Sequence, residues 1–182
     1  MPLEQKIQES LDAGDLKAAA TKILTDYGPR VHGYLVSVLR DEGTAREVFR
    51  QFCGNLWRGL PGLGRQFSAR TWAFKMAWSA VVDHRARAAR QVTKHPSQTT
   101  RNCSSTRRWN LGLDRLSRLR RSLDPQEQSL LILRINQRMS WAEVAEVMSE
   151  GSGPDETALR DRFQRLKEKL CTLAHEAGLM DG

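Results

Sequence analysis

The last part of the chain carries side chains that suit binding to a polyanion rather than catalysis. Between residues 155 and 175, apolar residues at helical spacing predict one buried face, formed by Leu159, Phe163, Leu166, Leu170 and Leu173. Arginine and amide side chains fall off that face, and such groups bind phosphates and purine bases in a major groove wide enough for a helix. The first turn adds an acid and a hydroxyl where a helix tip meets base edges. The candidate DNA-contacting residues are Glu156, Thr157, Arg160, Arg162, Gln164 and Arg165.

A second amphipathic segment, residues 140–148, lies directly before this helix and places Trp141, Val144, Ala145 and Met148 on one face. The run "GSGP" at 151–154 separates the two segments, since glycine and proline interrupt helices. Two short helices joined by a break, the second positively charged, predict a helix-turn-helix. An ordinary helical hairpin with a solvated basic face would show the same pattern, so this segment alone leaves both interpretations open.

Basic and aromatic residues also alternate through residues 65–87, where cations interleave with Phe67, Trp72, Phe74 and Trp78. Aromatic platforms beside cations bind unstacked bases, at about 1–3 kcal/mol per stacked base. Trp72 is expected to point to the core with Met76, whereas Trp78 lies on a different side and is a candidate for contact with DNA or a protein partner. Core packing is the alternative for each of these aromatic residues.

Signatures of an enzyme or a metal site are missing from the sequence. It contains no paired carboxylates, glycine-rich phosphate loop, HExxH or cysteine–histidine cluster. His84 and Arg87 have the spacing found in tyrosine recombinases, but Tyr27 and Tyr34 lie upstream of them. We therefore expect no catalytic residue, no metal and no cofactor.

Composition indicates the cellular setting and the class of partner. The chain has 29 Lys and Arg against 21 Asp and Glu, a net charge of +8, which favours a polyanionic partner. Its three cysteines are widely spaced and form no CxxC pair, which is typical of a reducing cytosol. No apolar run approaches the roughly 18–20 residues of a membrane span, and the polar N-terminus is not a signal peptide. These features predict a cytoplasmic protein without membrane insertion.

Apolar residues recur at helical spacing almost everywhere, which predicts an all-α fold. One or two short helices are expected over residues 3–24, on either side of residues 13–15, and another from about Pro29 to Arg40. The best-patterned helix follows and carries Ala45, Val48, Phe49, Phe52, Leu56, Trp57 and Leu60. A helix over 69–89 comes next, then the polar stretch 89–110, and then helices near 111–122, 125–137, 140–148 and 155–175. We expect two small helical domains, 1–88 and 111–175, joined by the flexible basic linker 89–110.

Asp124 and Pro125 in "SLDPQEQ" predict an N-cap and a first helical residue. Together with the residues up to about 173, this segment resembles region 4 of the small two-region sigma factors, the extracytoplasmic-function branch of the sigma-70 family. The matching stretches are "SLDPQEQSLLILRINQRMSWAEVAEVM" and "ETALRDRFQRLKEKL". The resemblance covers about residues 111–173 and implies that the last helix reads the −35 promoter element.

The N-terminal half, about residues 25–88, is similar to region 2 of the same family. "YGPRVHGYLVSVLRD" resembles its entry helix, "TAREVFRQFCGNLWRGL" the helix that grips polymerase, and "ARTWAFKMAWSAVVDHRAR" the helix that faces the −10 element. "PGLGRQF" resembles the loop that pockets a flipped base. The implied polymerase-binding residues are Glu47, Arg50, Gln51 and Asn55. The implied −10 contacts are Arg65, Gln66, Arg70, Lys75, Trp78, Ser79, His84 and Arg85.

The chain departs from the family pattern at several of these positions. Arg50 stands where an amide is usual, Ser79 where asparagine is frequent, and Trp78 where a basic residue is common. The break "SEGSGPD" is about four residues longer than the usual turn and lacks its aliphatic residue.

The resemblance implies a monomeric sigma factor whose partners are core RNA polymerase, promoter DNA and a separate anti-sigma protein. Two alternatives remain at this point. A stand-alone helix-turn-helix regulator would bind duplex DNA without polymerase, and an adaptor would keep only the protein-binding module.

Overall fold

The computed structural model describes residues 3–63, 67–94, 122–149 and 155–176. In these ranges the chain forms helices and turns without a strand, which confirms the all-α prediction. The helices are α1 (Leu3–Asp12), α2 (Leu16–Leu39), α3 (Glu42–Gly59), α4 (Ala69–Lys94), α5 (Pro125–Leu131), α6 (Trp141–Met148) and α7 (Glu156–Glu176). A 3₁₀ turn (Leu60–Gly62) follows α3, and a π-helical turn (Ile132–Asn136) follows α5. The expected helix near 111–122 and most of the expected linker lie outside the described residues.

The second helix, α2, differs from the sequence prediction because it runs through Pro29 instead of beginning there. Asp15 caps its start by accepting a hydrogen bond from the Ala18 amide at 2.9 Å. A proline inside a helix costs about 3 kcal/mol. The apolar stripe of α2 continues on both sides of the proline and is buried throughout, which offsets that cost; it comprises Ile23, Tyr27, Val31, Tyr34, Leu35 and Val38.

Helix α3 packs between α2 and α4 and buries the predicted apolar face. Asp41 caps it through the Thr44 amide at 2.7 Å. The buried residues are Ala45, Val48, Phe52 and Leu56. Trp57 differs from expectation: its side chain is 52% exposed, because it lies one residue beyond the inward position of Leu56.

The C-terminal helices begin where the sequence signals place them. Asp124 and Glu127 form a reciprocal capping box at the start of α5, with Pro125 in the first turn, as predicted. Ser140 and Glu143 form the same arrangement at α6. Helix α7 packs on α6 through the edge-to-face contact of Trp141 and Phe163, whose ring centroids are 5.4 Å apart.

The helices fall into an N-terminal group (α1–α4) and a C-terminal group (α5–α7), and these two groups pack directly against each other. Helix α4 lies against α6, and α2 lies against α5. One apolar cluster continues from the first group into Leu130, Leu133, Met139, Val144 and Val147 of the second. Between the two groups, the Tyr34 hydroxyl donates to Ser129 Oγ at 3.0 Å, with both residues buried. The arrangement fits the predicted pair of small helical domains.

Candidate protein and nucleic-acid interfaces

The first candidate interface is a groove between α3 and α4, called here the α3–α4 groove. All four residues predicted to bind polymerase line it, together with Gly54, Arg58, Asp83 and Arg87, around a volume of about 640 Å³. Arg87 of α4 donates to Gln51 Oε1 at 2.9 Å and so connects its two walls. Glu47 and Arg50 are exposed at its surface. The groove therefore presents acidic, basic and amide groups together, which suits contact with a charged protein surface.

The exposed side of α7 is the second candidate interface. Its predicted inward seam is confirmed, with Leu166 buried and the other four residues half-buried. Arg160, Arg162, Gln164 and Arg165 are exposed, Thr157 is exposed, and Glu156 is half-buried. Arg160 donates to Glu156 Oε2 at 2.8 Å, which holds the arginine along the first turn of the helix.

Helix α4 shows the largest difference from expectation, because α6 covers part of its predicted DNA-binding face. Arg70 donates to Glu143 Oε1 at 2.7 Å, and Lys75 pairs with Glu146. Trp78 was expected to face outward, but only 2% of it is exposed. Trp78 is buried because α6 packs on the side of α4 that would otherwise face solvent. We call this contact, defined by the pairs Arg70–Glu143 and Lys75–Glu146, the α4–α6 seam.

The Glu143 carboxylate caps α6 with one oxygen and contacts α4 with the other. Its Oε2 accepts from the Ser140 amide at 2.7 Å, which completes the cap of α6. Its Oε1 accepts from Arg70 and, at 3.2 Å, from the Thr71 hydroxyl of α4. Burial alone would raise the pKa of the Glu143 carboxyl, but the Ser140 and Arg70 hydrogen bonds outweigh burial, and the pKa is lowered. Glu143 is therefore an anion at neutral pH.

A cleft beside the seam exposes part of the same interface. Lys75, Met76, Trp78, Ser79 and Val82 of α4 line it, facing Val147 and Ser149 across about 290 Å³. The buried Trp78 indole N–H has no hydrogen-bond partner among the described residues. A buried donor without a partner costs about 1–3 kcal/mol.

The helices that form the α3–α4 groove are similar in sequence to a known protein family. Residues 23–91, which span most of α2, all of α3 and most of α4, match the family model of sigma-70 region 2. Residues 23–91 thus form a sigma-70 region 2, which agrees with the resemblance that the sequence indicated over about residues 25–88.

A solved sigma factor has the same fold over most of the chain. The sigma factor RpoE from Bartonella quintana, in a co-crystal structure with the anti-sigma factor NepR, matches with a TM-score of 0.69 at 14% identity. The match covers 88% of this chain and 97% of that one. A search of curated proteins found no match.

Within region 2, the residues predicted to contact the −10 element do not form one exposed patch. Arg70, Lys75 and Trp78 lie beneath α6, and Ser79 is exposed at the edge of the cleft. His84 and Arg85 lie farther along α4, half-buried and exposed respectively. Arg65 and Gln66 lie outside the described residues, as does the long break at 150–154.

Sequence reasoning did not identify Glu143 and Glu146 as functional candidates. The pattern Ser140–x–x–Glu143 predicts a capping box. The other carboxylate oxygen of Glu143 contacts Arg70, and that contact depends on how α6 packs on α4. The same holds for Arg40, whose guanidinium donates to the Leu123 carbonyl of the other helical group. No local pattern signals such pairs.

The described helices offer little support for other classes of site. No cluster of three or more His, Cys, Asp or Glu residues within the described ranges could hold a metal ion. Among the same residues, no helix combines the length and apolar character that crossing a bilayer requires.

Proposed function

We propose that this protein is a sigma factor of the sigma-70 family that binds core RNA polymerase and directs promoter-specific transcription initiation. One observation carries the proposal. The chain joins a region 2 to a pair of helices, α6 and α7, whose second member has an exposed basic face, in a fold shared with a solved sigma factor.

Polymerase binding is assigned to the α3–α4 groove. Glu47, Arg50, Gln51 and Asn55 lie on one open surface and keep their side chains away from the buried face of α3. Arg50 supplies a charged fork where the family pattern has an amide, so the proposed contact at this position is with a carboxylate or carbonyl of polymerase.

Promoter recognition is assigned to both helical groups. In region 2, the predicted −10 contacts of α4 that remain exposed, Ser79 and Arg85, would contact the phosphates of the displaced −10 strand. In the C-terminal group, the exposed arginines of α7 would contact −35 phosphates and guanines. Neither role involves a bond-breaking step.

Regulation by a separate protein is part of the proposal. The solved sigma factor with the same fold was crystallised with an anti-sigma factor. We therefore propose that an anti-sigma protein restrains this chain, and that the chain works as a monomer within the polymerase complex.

Run-off transcription tests the proposal. Bacterial core polymerase would be combined with this protein on genomic DNA fragments, and the reaction repeated with Arg162→Ala and Arg165→Ala. Arg30→Ala, which removes an exposed arginine of α2, is the matched control. We expect new start sites that the α7 variants weaken and the control retains.

The contrary result would be duplex DNA binding without any polymerase-dependent transcript. That result would favour the stand-alone regulator, for which the basic face of α7 is sufficient and the α3–α4 groove has no role.

A further inference from the structure

We propose that Glu4 is a positioning residue for promoter opening: its carboxylate, carried by α1, fixes the start of α4 and with it one end of the segment 61–67. By its resemblance to the family loop, that segment would receive a flipped base of the −10 element. The inference rests on the proposed function, because it takes this segment to contact promoter DNA. It gives a role to α1, which lies before the residues that match region 2.

The Glu4 carboxylate binds the first turn of α4 with both of its oxygens. Its Oε2 accepts from the Ala69 amide at 2.7 Å, and its Oε1 accepts from the Arg70 amide at 3.3 Å. The first amides of a helix have no partner within the helix, and the helix dipole favours a negative charge beside them. The next amide, that of Thr71, donates to Ser68 Oγ at 3.1 Å. Glu4 therefore supplies two of these three contacts from a helix distant in the chain.

A buried tyrosine of α2 holds the same carboxylate in place. The Tyr27 hydroxyl donates to Glu4 Oε1 at 2.8 Å, and Tyr27 itself is buried. Burial and the contact with Glu4 raise the pKa of this hydroxyl above its ordinary 10.0, so the hydroxyl remains a donor at neutral pH. Ile7 of α1 is buried in the same apolar core. Glu4 thus joins α1, α2 and α4 at one point.

The chain that leads into α4 is anchored on both sides of the predicted base contacts. Leu63 is buried on one side, and Ala69 is buried on the other, where Glu4 caps the helix. Arg65 and Gln66 lie between these two anchors in the sequence and outside the described residues. Fixing the ends of a short segment lowers the conformational entropy that its residues lose on binding. Loss of the Glu4 contact should therefore weaken capture of the −10 strand.

A purely structural role for Glu4 predicts a different result from a positioning role. If the carboxylate only stabilised the fold, its loss would act like the loss of any helix cap of similar strength. Asp15 provides that comparison, because its exposed side chain caps α2 through the Ala18 amide at 2.9 Å. Losses of the two caps lower stability by comparable amounts, and only the loss of Glu4 changes the start of α4.

The test uses the full chain carrying Glu4→Ala, with Asp15→Ala as the matched control. Each substitution removes one capping carboxylate and makes the same change in net charge. The added positive charge by itself favours DNA binding, so a loss of promoter opening has the opposite sign to the charge effect. Glu4→Gln is the conservative variant, since its amide oxygen can still accept from one amide of α4 and from Tyr27.

The first measurement is residue-resolved hydrogen exchange by NMR, without DNA or polymerase. We expect the Ala69 and Arg70 amides to exchange about 2- to 30-fold faster in Glu4→Ala than in the parent, the factor that loss of a helix cap represents. Glu4→Gln should give a smaller increase, and Asp15→Ala should leave these two rates unchanged. Equal rates in Glu4→Ala and Asp15→Ala would overturn the proposal, because Glu4 would then not hold this turn.

The second measurement is promoter opening by holoenzyme assembled from core polymerase and each variant, on a promoter found by run-off transcription. Permanganate oxidises unpaired thymines and so reports opening at the −10 element. We expect Glu4→Ala to open the promoter about twofold less or weaker still than Asp15→Ala, because the apparent affinity for the strand falls with the competent fraction of the protein. Glu4→Gln should lie between them.

Affinity for core polymerase separates positioning from general support of region 2. Both alanine variants should bind core polymerase like the parent, because the residues of the α3–α4 groove are unchanged. Equal promoter opening by the two alanine variants would overturn the positioning role. A loss of core affinity confined to Glu4→Ala would also overturn it, because Glu4 would then support the polymerase-binding surface as well.

The two proposals fail separately. Faster exchange in Glu4→Ala without any polymerase-dependent transcript from the parent would remove the proposed function and the DNA role of Glu4, leaving only a cap of α4. Promoter opening by the parent, with equal opening by Glu4→Ala, would remove the positioning role alone.

Discussion

At the scale of single residues, Arg162 and Arg165 offer two exposed guanidinium groups on α7, Arg162 on the flank of the apolar seam and Arg165 farther from it. If each contacts a phosphate, each alanine substitution should weaken duplex binding and lower the salt slope by about 0.9. Fluorescence anisotropy across a salt series checks this, with Arg30→Ala as control. Unchanged affinity and slope in both variants would contradict the assignment of α7 as the duplex reader.

Glu143 gives a second residue-scale prediction, because its pKa is lowered from the ordinary 4.5. A lowered carboxyl pKa contributes stability above the ordinary pKa, and this contribution is lost as the pH falls through the lowered value. The parent protein should therefore lose stability more steeply below pH 4.5 than Glu143→Gln does. Urea unfolding at several acidic pH values measures the two slopes, and parallel slopes would show that the carboxylate is not stabilised by folding.

At the scale of helices, α5 shows a feature that the sequence predicts correctly, and α2 shows one that it does not. The caps at Asp124 and Pro125 were predictable, because capping depends on residues adjacent in the chain. The local pattern predicts a helix start at Pro29, although the apolar stripe continues across it and is buried. The helix continues through Pro29 because burial of several large apolar side chains outweighs the local cost of a proline inside a helix.

The helical proline leads to a stability prediction. Pro29 is exposed, and alanine there would restore a backbone N–H within α2. We expect Pro29→Ala to raise the free energy of unfolding by about 1–2 kcal/mol, since helix propensity favours alanine by about 3 kcal/mol and the freer unfolded chain offsets part of that. Urea denaturation provides the measurement. A loss of stability would mean that the proline fits a local bend that alanine cannot follow.

Across the whole molecule, the contacts that the sequence could not predict are those between the two helical groups. Helical periodicity predicted most described helices, and the family pattern identified the side chains of the α3–α4 groove. Periodicity alone could not predict that α6 covers Trp78, because the partner of a helix face is chosen by residues distant in the chain. The spacing of this tryptophan is compatible with an exposed role and with core packing.

The contact between α2 and α5 gives a prediction at this scale. Tyr34→Phe would remove the hydroxyl that donates to Ser129, while the Ser129 hydroxyl still donates to the Pro125 carbonyl at 2.7 Å. We expect a loss of about 0.5–1.5 kcal/mol in unfolding free energy, the usual net value of one hydrogen bond. Calorimetry should show both helical groups unfolding in a single transition, and two separated transitions in the parent protein would contradict their shared core.

Binding to purified core RNA polymerase tests the central claim most directly, because it separates a sigma factor from a stand-alone regulator. We predict saturable binding of the labelled full chain, weakened at least about tenfold by Glu47→Lys, since a reversed interface charge costs more than the 1.4 kcal/mol that a factor of ten represents. Glu9→Lys, the same reversal at an exposed site on α1, should bind like the parent. Absence of polymerase binding by a folded chain that still binds duplex DNA would contradict the account.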